Sequence, residues 1–185
     1  MLAKPEILKR LVAYGLGLER GTVRLVEHQH GWKDAFAFLS DLVQKQLYDK
    51  NIVIEHIGST AIPGALAKPI IDVMIVSAQD HDFAAETISL EQSGFLAKGD
   101  YGIAGRHYFN FYNTDDTIEY IHIHAFPRGH AHIDHVLTFR NKLLADPFLV
   151  QQYSALKARL VEGSIPRKDY TAAKTGFVES VLKKQ

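Results

Sequence analysis

The sequence predicts an α/β (α+β) fold in which a mixed, largely antiparallel sheet is flanked by helices and covered by a C-terminal helical layer. Three observations predict this fold. Two short apolar runs rich in β-branched residues, 52–57 and 70–76, are typical of buried strands. The turn-rich segment 113–116 joins two further strand patterns, which predicts a hairpin. The last third of the chain carries apolar residues at helical spacing.

Each element is predicted from its own apolar pattern, in order along the chain. Helices are predicted where apolar residues recur every three or four positions: Pro5–Tyr14, Gly31–Tyr48, His81–Gln92, a helix around Ile133–Leu144, a helix from Asp146 to about Leu160, and a last helix from Asp169 or Tyr170. Strands are predicted in apolar or alternating runs: Thr22–His28, Ile52–Ile57, Ile70–Val76, Arg106–Tyr112 and Ile118–Phe126. Asp146 followed by Pro147 is typical of a helix cap and first turn.

Composition and charge restrict the class of protein. The 185 residues fit one domain, 1–185, and the 46% hydrophobic and 23% charged residues are ordinary for a globular protein. Because 21 basic residues balance 21 acidic ones, broad nucleic-acid binding is not expected. The absence of cysteine excludes disulfides and thiolate chemistry. No apolar stretch is long enough to span a bilayer and charges interrupt the N-terminal segment, so we expect a cytoplasmic protein without membrane contacts. The oligomeric state stays open.

The most informative segment is the loop between two predicted buried strands, His56-Ile-Gly-Ser-Thr-Ala-Ile-Pro-Gly-Ala-Leu-Ala-Lys-Pro-Ile-Ile-Asp72. Gly58 lets a ligand approach the backbone, and the following amides with the hydroxyls of Ser59 and Thr60 can hold a phosphate. Asp72 stands among apolar neighbours, where a carboxylate is costly unless it is paired, protonated or bound to a metal. A structural turn with capping hydroxyls and a hydrogen-bonded aspartate explains the same residues.

This segment resembles the signature of the GrpB-like family, a His-x-Gly-Ser-Thr turn that continues to Lys-Pro and ends in Asp. Four further motifs of that family resemble segments of this chain in the expected order: Gly105–Phe109, His122-Ile-His124, Phe139-Arg140 and Tyr170–Lys174. The resemblance covers about residues 23–182. It implies a nucleotidyltransferase-like core, because the family is similar to that superfamily.

In the nucleotidyltransferase superfamily, a Gly-Ser turn holds the triphosphate and two carboxylates on the next strand hold Mg²⁺, which neutralises charge on the transferred phosphorus. Ser59 and Asp72 match this pattern. Met74 stands where the second carboxylate is expected, because residues two apart on a strand face the same way. The usual pair of carboxylates is therefore incomplete, and Glu119, at the start of a later strand, is the candidate replacement.

A second candidate metal site comes from the histidine pair. On a regular strand His122 and His124 share one face with Tyr120 and lie about 7 Å apart at the backbone, whereas Glu119 faces the other way. With Asp72 they form a set of two imidazoles and one carboxylate that can hold a divalent metal, Mg²⁺, Mn²⁺ or Zn²⁺. Neutral histidines that line a cleft are the alternative.

Several cations are candidate phosphate ligands. Arg140 and Lys174 interrupt apolar helix faces, and Lys68 lies beside the turn; such side chains either extend to solvent or serve a site. Arginine suits bidentate contact with phosphate, and lysine acts as a point charge. With the residues that the family motifs add, the candidate phosphate-binding set is His56, Gly58, Ser59, Thr60, Lys68, Arg106, Arg140 and Lys174.

The sequence favours binding of a nucleotide or another phosphorylated small molecule, and the resemblance implies metal-dependent nucleotidyl or phosphoryl transfer. The candidate catalytic residues are Ser59, Asp72, His122 and His124. Two alternatives stay open. A non-catalytic accessory or ligand-binding module is favoured by the missing second carboxylate, and a metal-dependent hydrolase is favoured by the histidine pair. The sequence does not decide the substrate, the metal or whether the protein turns over a substrate.

Overall fold

The computed structural model describes residues 3–48, 51–78 and 81–183, which are organised around a six-stranded sheet. The strands are β1 (Leu18–Glu19), β2 (Val53–Ile57), β3 (Ile71–Ser77), β4 (Leu96–Ala97), β5 (His107–Tyr112) and β6 (Ile118–Pro127). Their order across the sheet is β2-β3-β6-β5-β4, and β1 pairs with the start of β6. Strands β3 and β6 are parallel and the other named pairs are antiparallel. The predicted mixed, largely antiparallel sheet is confirmed.

Helices flank this sheet. They are α1 (Lys4–Ala13), α2 (Gly31–Gln44), α3 (Ala84–Gln92), α4 (Ala131–Ala145), α5 (Pro147–Glu162), α6 (Arg167–Tyr170) and α7 (Thr175–Lys183), with 3₁₀ turns at Ser59–Ala61 and Ala172–Lys174. Helix α4 packs on α5 and α7, which confirms the C-terminal helical layer. The Asp146 carboxylate accepts hydrogen bonds from the amides of Phe148 (2.9 Å) and Leu149 (3.4 Å), so it caps α5 as predicted. Within the described residues, no helix has the length and apolarity needed to cross a bilayer.

The two faces of the sheet have different characters. One face packs against α1 and α2 in the main core, which includes Ile71, Val73, Ile75, Phe109, Phe111, Ile121 and Ile123. The other face, here called the site face, carries the alternate residues Asp72, Met74, Tyr108, His122 and His124. Helix α4 covers one part of the site face, where Ile133 packs with Met74 and Phe126. The polar residues of this face, Asp72, His122 and His124, lie beside the part that α4 covers and form the candidate site.

Some predicted elements differ from the structure. Thr22–His28 is not a strand, because Val26 pairs with Ala67 in an isolated bridge and the residues that extend the sheet here are those of β1. The predicted last helix is divided into α6, a 3₁₀ turn and α7. Strand β4 was not predicted, since two residues are too few to show a periodic pattern. Helix α2 ends at Gln44 instead of Tyr48, and α3 begins at Ala84 instead of His81.

The turn after β2 brings the backbone directly against the buried end of β3. Gly58 has φ 71° and ψ −175°, a conformation that is essentially restricted to glycine. A Cβ atom added at Gly58 would lie 2.2 Å from Asp72 Oδ2 and 3.0 Å from Asp72 Cβ. Glycine is therefore required at this position by its backbone conformation and by the close approach of the carboxylate.

We predict that Gly58→Ala destabilises the protein by roughly 2–4 kcal/mol, the sum of backbone strain and the displacement of Asp72. Gly64→Ala is the matched control, because Gly64 also has a positive φ, 77°, but an added Cβ would meet no described atom within 4 Å. The control should cost about 1 kcal/mol. Urea unfolding of both variants measures the difference. Equal losses of stability would show that the contact with Asp72 does not constrain the turn.

Candidate functional site

Strand register aligns polar side chains across the site face. Asp72 on β3 lies opposite His122 on β6, and His122 lies opposite Asn110 on β5. In the next row, Met74 lies opposite His124. Residues opposite one another in a sheet point to the same face and lie about 5 Å apart. The register therefore brings the carboxylate and both imidazoles together.

His122 lies between two carboxylates. Its Nδ1 atom is 2.9 Å from Asp72 Oδ1, and its Nε2 atom is 3.0 Å from Glu119 Oε1 at an angle too bent for a good hydrogen bond. Burial lowers the pKa of His122, but the two carboxylates outweigh burial and hold this pKa above its ordinary value. Burial would raise the pKa of Asp72, but its contacts with His122 and His124 hold it below its usual range. The arrangement favours an imidazolium between two carboxylates.

Glu119 reaches this cluster because β6 contains a bulge. The register between β5 and β6 shifts so that Tyr120 is an extra residue without a partner in the register. Tyr120 and Ile121 both pack in the main core, so Glu119 and His122 both face the site. The expectation from regular alternation, which placed Glu119 on the face opposite His122, is wrong for this physical reason.

The Glu119 carboxylate is held on several sides. Asn110 Nδ2 donates a hydrogen bond to Oε1 at 3.0 Å, and Arg167 Nη2 donates to Oε2. Burial would raise the pKa of Glu119, but His122 and the nearby cations lower it to about 2. Glu119 is therefore an ionised carboxylate next to His122, and its second oxygen is bound to Arg167.

His124 is oriented by Arg106. Arg106 Nη1 lies 3.3 Å from His124 Nδ1, and because a guanidinium can only donate, this ring nitrogen accepts. Burial lowers the pKa of His124, so its neutral form carries the proton on Nε2, which lies 3.8 Å from Asp72 Oδ1. The other donors of Arg106 bind the carbonyls of Asp100 and Tyr101. The structure thus places Arg106, a predicted phosphate ligand, on the side of His124 that faces away from Asp72.

Asp72, His122 and His124 meet the distance requirement for a metal centre, since one ligand atom from each lies within 4.8 Å of the others. A metal ion here would replace the proton between Asp72 and His122. Two imidazoles and one carboxylate suit Zn²⁺ or Mn²⁺ better than Mg²⁺. A pair of carboxylates on β3 is excluded, because Met74 is apolar and 0% exposed. The distances therefore fit a centre with two histidines and one carboxylate, in which the proton on His124 Nε2 would move to Nδ1 and the hydrogen bond from Arg106 would be given up.

A cation holds the turn beside Asp72. Lys157 on α5 is 1% exposed, and its Nζ donates to Ser59 Oγ at 2.9 Å and to the carbonyl of Leu66. The same Nζ lies 4.2 Å from the centroid of the Tyr153 ring, where a cation is attracted to the aromatic face. Lys157 thus connects both ends of the loop that contains Ser59 to the C-terminal helical layer.

Lys68, Lys157 and Lys174 form a group of amines here called the lysine cluster. Lys174 Nζ and Lys68 Nζ lie 4.5 and 5.6 Å from the centroid of the Tyr170 ring. Burial, together with repulsion from neighbouring cations, lowers the pKa of all three amines, to about 7 for Lys157 and about 8 for Lys174. The Tyr170 hydroxyl is buried and has no hydrogen-bond partner among the described residues. Anionic oxygens are the natural partners of such a group.

His56 and Thr60 bind one another below the turn. His56 stacks on Phe36 of α2, with ring centroids 4.7 Å apart, so it faces the main core and not the side of Asp72. The Thr60 hydroxyl donates to the carbonyl of Ile70 at 3.3 Å and so accepts from His56 Nε2 at 3.1 Å. Burial lowers the pKa of His56 to about 4. These two predicted phosphate ligands instead stabilise the turn.

Arg140 connects α4 to β2. Its Nη1 atom donates to Glu55 Oε2 at 2.7 Å and to the carbonyl of His56 at 2.8 Å, and its other nitrogens donate to Asn141 Oδ1. The guanidinium is therefore bound by protein acceptors under the part of the site face that α4 covers. We assign Arg140 a structural role and leave it out of the proposed phosphate site.

Lys157 and Arg167 are site residues that the sequence interpretation missed. Lys157 lies four residues after Tyr153 and eight after Leu149, on the inward stripe of α5, so a cation on an apolar stripe was the available signal. Arg167 is the first residue of the short helix α6, and its contact with Glu119 depends on the bulge at Tyr120. No local pattern predicts that contact.

The fold and the site define an α/β protein with a carboxylate–histidine cluster and a lysine cluster on one face of a mixed sheet. The chain belongs to the GrpB family, because the family model described as GrpB protein matches residues 22–184.

Relatives agree with this assignment. The glutamate-rich protein GrpB of Alkalihalophilus pseudofirmus is 31% identical over 176 residues, which are 90% of this chain and 98% of that protein. The UPF0157 protein BH1888 of Halalkalibacterium halodurans is 28% identical over 182 residues, 97% of this chain and 90% of the relative. The UPF0157 protein YqkA of Bacillus subtilis is 32% identical over 138 residues, 75% of this chain, but the match spans 39% of its length.

A solved structure from the same family shows this fold. The conserved protein GrpB from Enterococcus faecalis has a TM-score of 0.77 and 26% sequence identity, and the match covers 86% of this chain and 95% of that chain. The Cid1 poly(U) polymerase with MgGTP bound has a TM-score of 0.44 and 12% identity over 84% of this chain and 48% of the polymerase. That similarity is too low to carry an argument about activity.

We predict that Zn²⁺ or Mn²⁺ binds at Asp72, His122 and His124 more tightly than Mg²⁺ does. In calorimetric titrations, Asp72→Asn and the double variant His122→Ala/His124→Ala should each weaken binding of the transition metal at least tenfold, because each removes ligands. The control is His132→Ala/His135→Ala, a second histidine pair with ring centroids 5.8 Å apart on α4. Unchanged metal binding by the His122/His124 variant would exclude the proposed ligand set.

Proposed function

We propose that the site binds a nucleotide or another phosphorylated small molecule, with the phosphates on the lysine cluster. The observation that carries this proposal is the convergence of three amines, that of the buried Lys157 and those of the half-buried Lys68 and Lys174, beside Ser59 and Asp72. Each amine loses hydration in the fold and is repelled by neighbouring cations, and both effects lower its pKa. A bound polyanion would offset both costs.

The surrounding residues supply further partners for phosphate oxygens. Lys157 already donates to Ser59 Oγ, so a phosphate at the turn would lie next to both a hydroxyl and an ammonium group. Tyr170 contributes a buried hydroxyl without a described partner. Asp72 remains a carboxylate at neutral pH, since its pKa lies below its usual range. An anion and a carboxylate side by side favour a cation between them.

Phosphoryl or nucleotidyl transfer is the activity that we propose for this arrangement. A divalent ion held by Asp72 would neutralise charge on the phosphorus under attack. The lysine cluster would orient the phosphates, and Glu119 would hold His122 in place beside Asp72. The fully buried Met74 favours a second candidate, a module that binds a phosphorylated ligand without turning it over. The distances among Asp72, His122 and His124 favour a third candidate, a metal-dependent hydrolase.

We predict that nucleoside triphosphates raise the melting temperature of the protein, because a ligand that binds the folded state stabilises it. Lys174→Met should lose most of this shift, since it removes one ammonium group of the lysine cluster and keeps the length of the side chain. Lys33→Met, at an exposed position of α2, is the matched control. Thermal shift with and without Mn²⁺ and Mg²⁺ measures the effect. The absence of a shift with nucleotides, triphosphate and sugar phosphates would rule out the proposal.

Turnover distinguishes the three candidates. Release of pyrophosphate or phosphate that Asp72→Asn abolishes would support transfer. Binding without any product over hours would support the non-catalytic module. Metal-dependent cleavage of phosphate esters that persists in Lys174→Met would support the hydrolase.

Phosphate affinity should fall as pH rises from about 7 to about 9, because Lys157, with a pKa of about 7, and Lys174, with a pKa of about 8, lose the protons that the anion needs. Ligand binding at about pH 8 should therefore take up protons, which calorimetry in buffers of different ionisation enthalpy detects. Lys174→Arg should reduce the uptake, because arginine stays protonated.

The ligand-free protein should show the opposite trend. The unfolded chain keeps these lysines protonated to about pH 10. Because the unfolded state then binds more protons than the folded state, these two groups make the protein more stable as pH rises from about 7 to about 10.

Phosphate affinity that is constant between about pH 7 and 9 would contradict the assigned role of the amines.

A further inference from the structure

We propose that Tyr101 is a stacking platform for a planar ring, which names the ligand class as a nucleotide rather than a simple phosphate or polyphosphate. This inference rests on the proposed phosphate site. It concerns the loop between β4 and β5, which none of the proposed phosphate contacts uses.

Tyr101 extends the aromatic surface of the site outwards. Its ring stacks on that of Tyr108, with centroids 5.0 Å apart and planes 11° apart. The Tyr108 ring in turn lies 5.0 Å from His124 and 5.7 Å from His122. Tyr108 is buried, whereas Tyr101 is 66% exposed, so the stack begins at the histidine pair and ends in an open aromatic face.

The loop holds the backbone of Tyr101 in an unusual conformation. Tyr101 has φ 44°, which is uncommon for a residue other than glycine. Arg106 Nη2 donates to the Tyr101 carbonyl at 2.7 Å, and Asp100 Oδ1 accepts from the amide of Gly102 at 3.2 Å. His130 Nε2 lies 2.9 Å from the Ala104 carbonyl and fastens the far end of the loop. Hydrogen bonds at both ends of the loop thus hold this exposed aromatic ring in place.

Arg106 couples this loop to the site. Its guanidinium lies 4.6 Å from the centroid of the Tyr108 ring, donates to the carbonyls of Asp100 and Tyr101, and contacts His124. The residue that orients His124 therefore also fixes the platform. Arg106 would therefore fix the position of a ligand stacked on Tyr101 relative to His124.

The order of contacts along the site matches the order of the parts of a nucleotide. A chain of contacts runs from Tyr101 through Tyr108 and His122 to Asp72. The lysine cluster lies at the Asp72 end, because the backbone at Gly58 approaches Asp72 and the next residue, Ser59, accepts a hydrogen bond from Lys157 at 2.9 Å. Phosphates on the lysine cluster and a base on Tyr101 would place the intervening sugar over the histidine pair. Stacking tolerates any base, because every base has a π-face.

Calorimetry on the full chain tests this inference with ATP, GTP, UTP and CTP, and with inorganic triphosphate as the probe without a ring. Tyr101→Ala should weaken binding of at least one nucleotide about tenfold and leave triphosphate binding unchanged, since only the nucleotide has a base to stack. Tyr101→Trp should retain or improve nucleotide binding. Tyr48→Ala is the control, because Tyr48 is equally exposed, at 67%, after the end of α2. Tyr101 is a surface side chain, so its variants should fold, and their melting temperatures check this.

The outcomes separate this inference from the phosphate site on which it rests. Equal loss of nucleotide and triphosphate binding in Tyr101→Ala would overturn the stacking role, and so would nucleotide binding equal to that of the wild type. Wild-type protein that binds triphosphate as tightly as every nucleotide would leave a phosphate site without a platform. Wild-type protein that binds neither would overturn both proposals.

Discussion

The contact between the half-buried carboxylate of Asp72 and the turn at Gly58 is the constraint on which the rest of the site depends. Because a side chain at position 58 would overlap the carboxylate, the backbone can pass there only as glycine. The same carboxylate is held by His122 at 2.9 Å, which in turn lies against Glu119. Because a carboxylate that is partly withdrawn from water is stabilised by a partner, these groups are ordered together and position both the Ser59 turn and the histidine pair.

The charges of the site are divided into two neighbouring groups of opposite sign. Asp72 and Glu119 enclose His122, whereas Lys68, Lys157 and Lys174 surround the Ser59 turn. Burial lowers the pKa of Lys68 and Lys174, and the negative charge of Asp72 partly counteracts this effect, so each group reduces the cost of placing the other in the site. A site that is polarised in this way suits a ligand with anionic and cationic partners, such as a phosphate with a metal ion.

Family membership and fold agree with the motifs in the sequence, but they do not by themselves name a reaction. The GrpB structure from Enterococcus faecalis shares the fold at a TM-score of 0.77. The replacement of the expected second carboxylate by the buried Met74 distinguishes this site from a two-carboxylate magnesium centre. Glu119 reaches the same cluster from β6, although Arg167 occupies one of its oxygens. The reaction that this site can support therefore depends on the protonation of Asp72, Glu119 and His122.

The sequence by itself determined the strands that carry the site, the turn between them and the candidate residues Ser59, Asp72, His122 and His124, because apolar runs and short motifs are local patterns. It also indicated Lys68 and Lys174. Only the tertiary structure decided that Glu119 joins His122, since a single extra residue at Tyr120 reverses the side to which Glu119 points. Likewise, Lys157 contacts Ser59 because α5 packs against the loop after β2. Arg140 forms an ion pair with Glu55 because α4 packs against β2. Contacts between residues about 100 positions apart leave no periodic trace in a sequence.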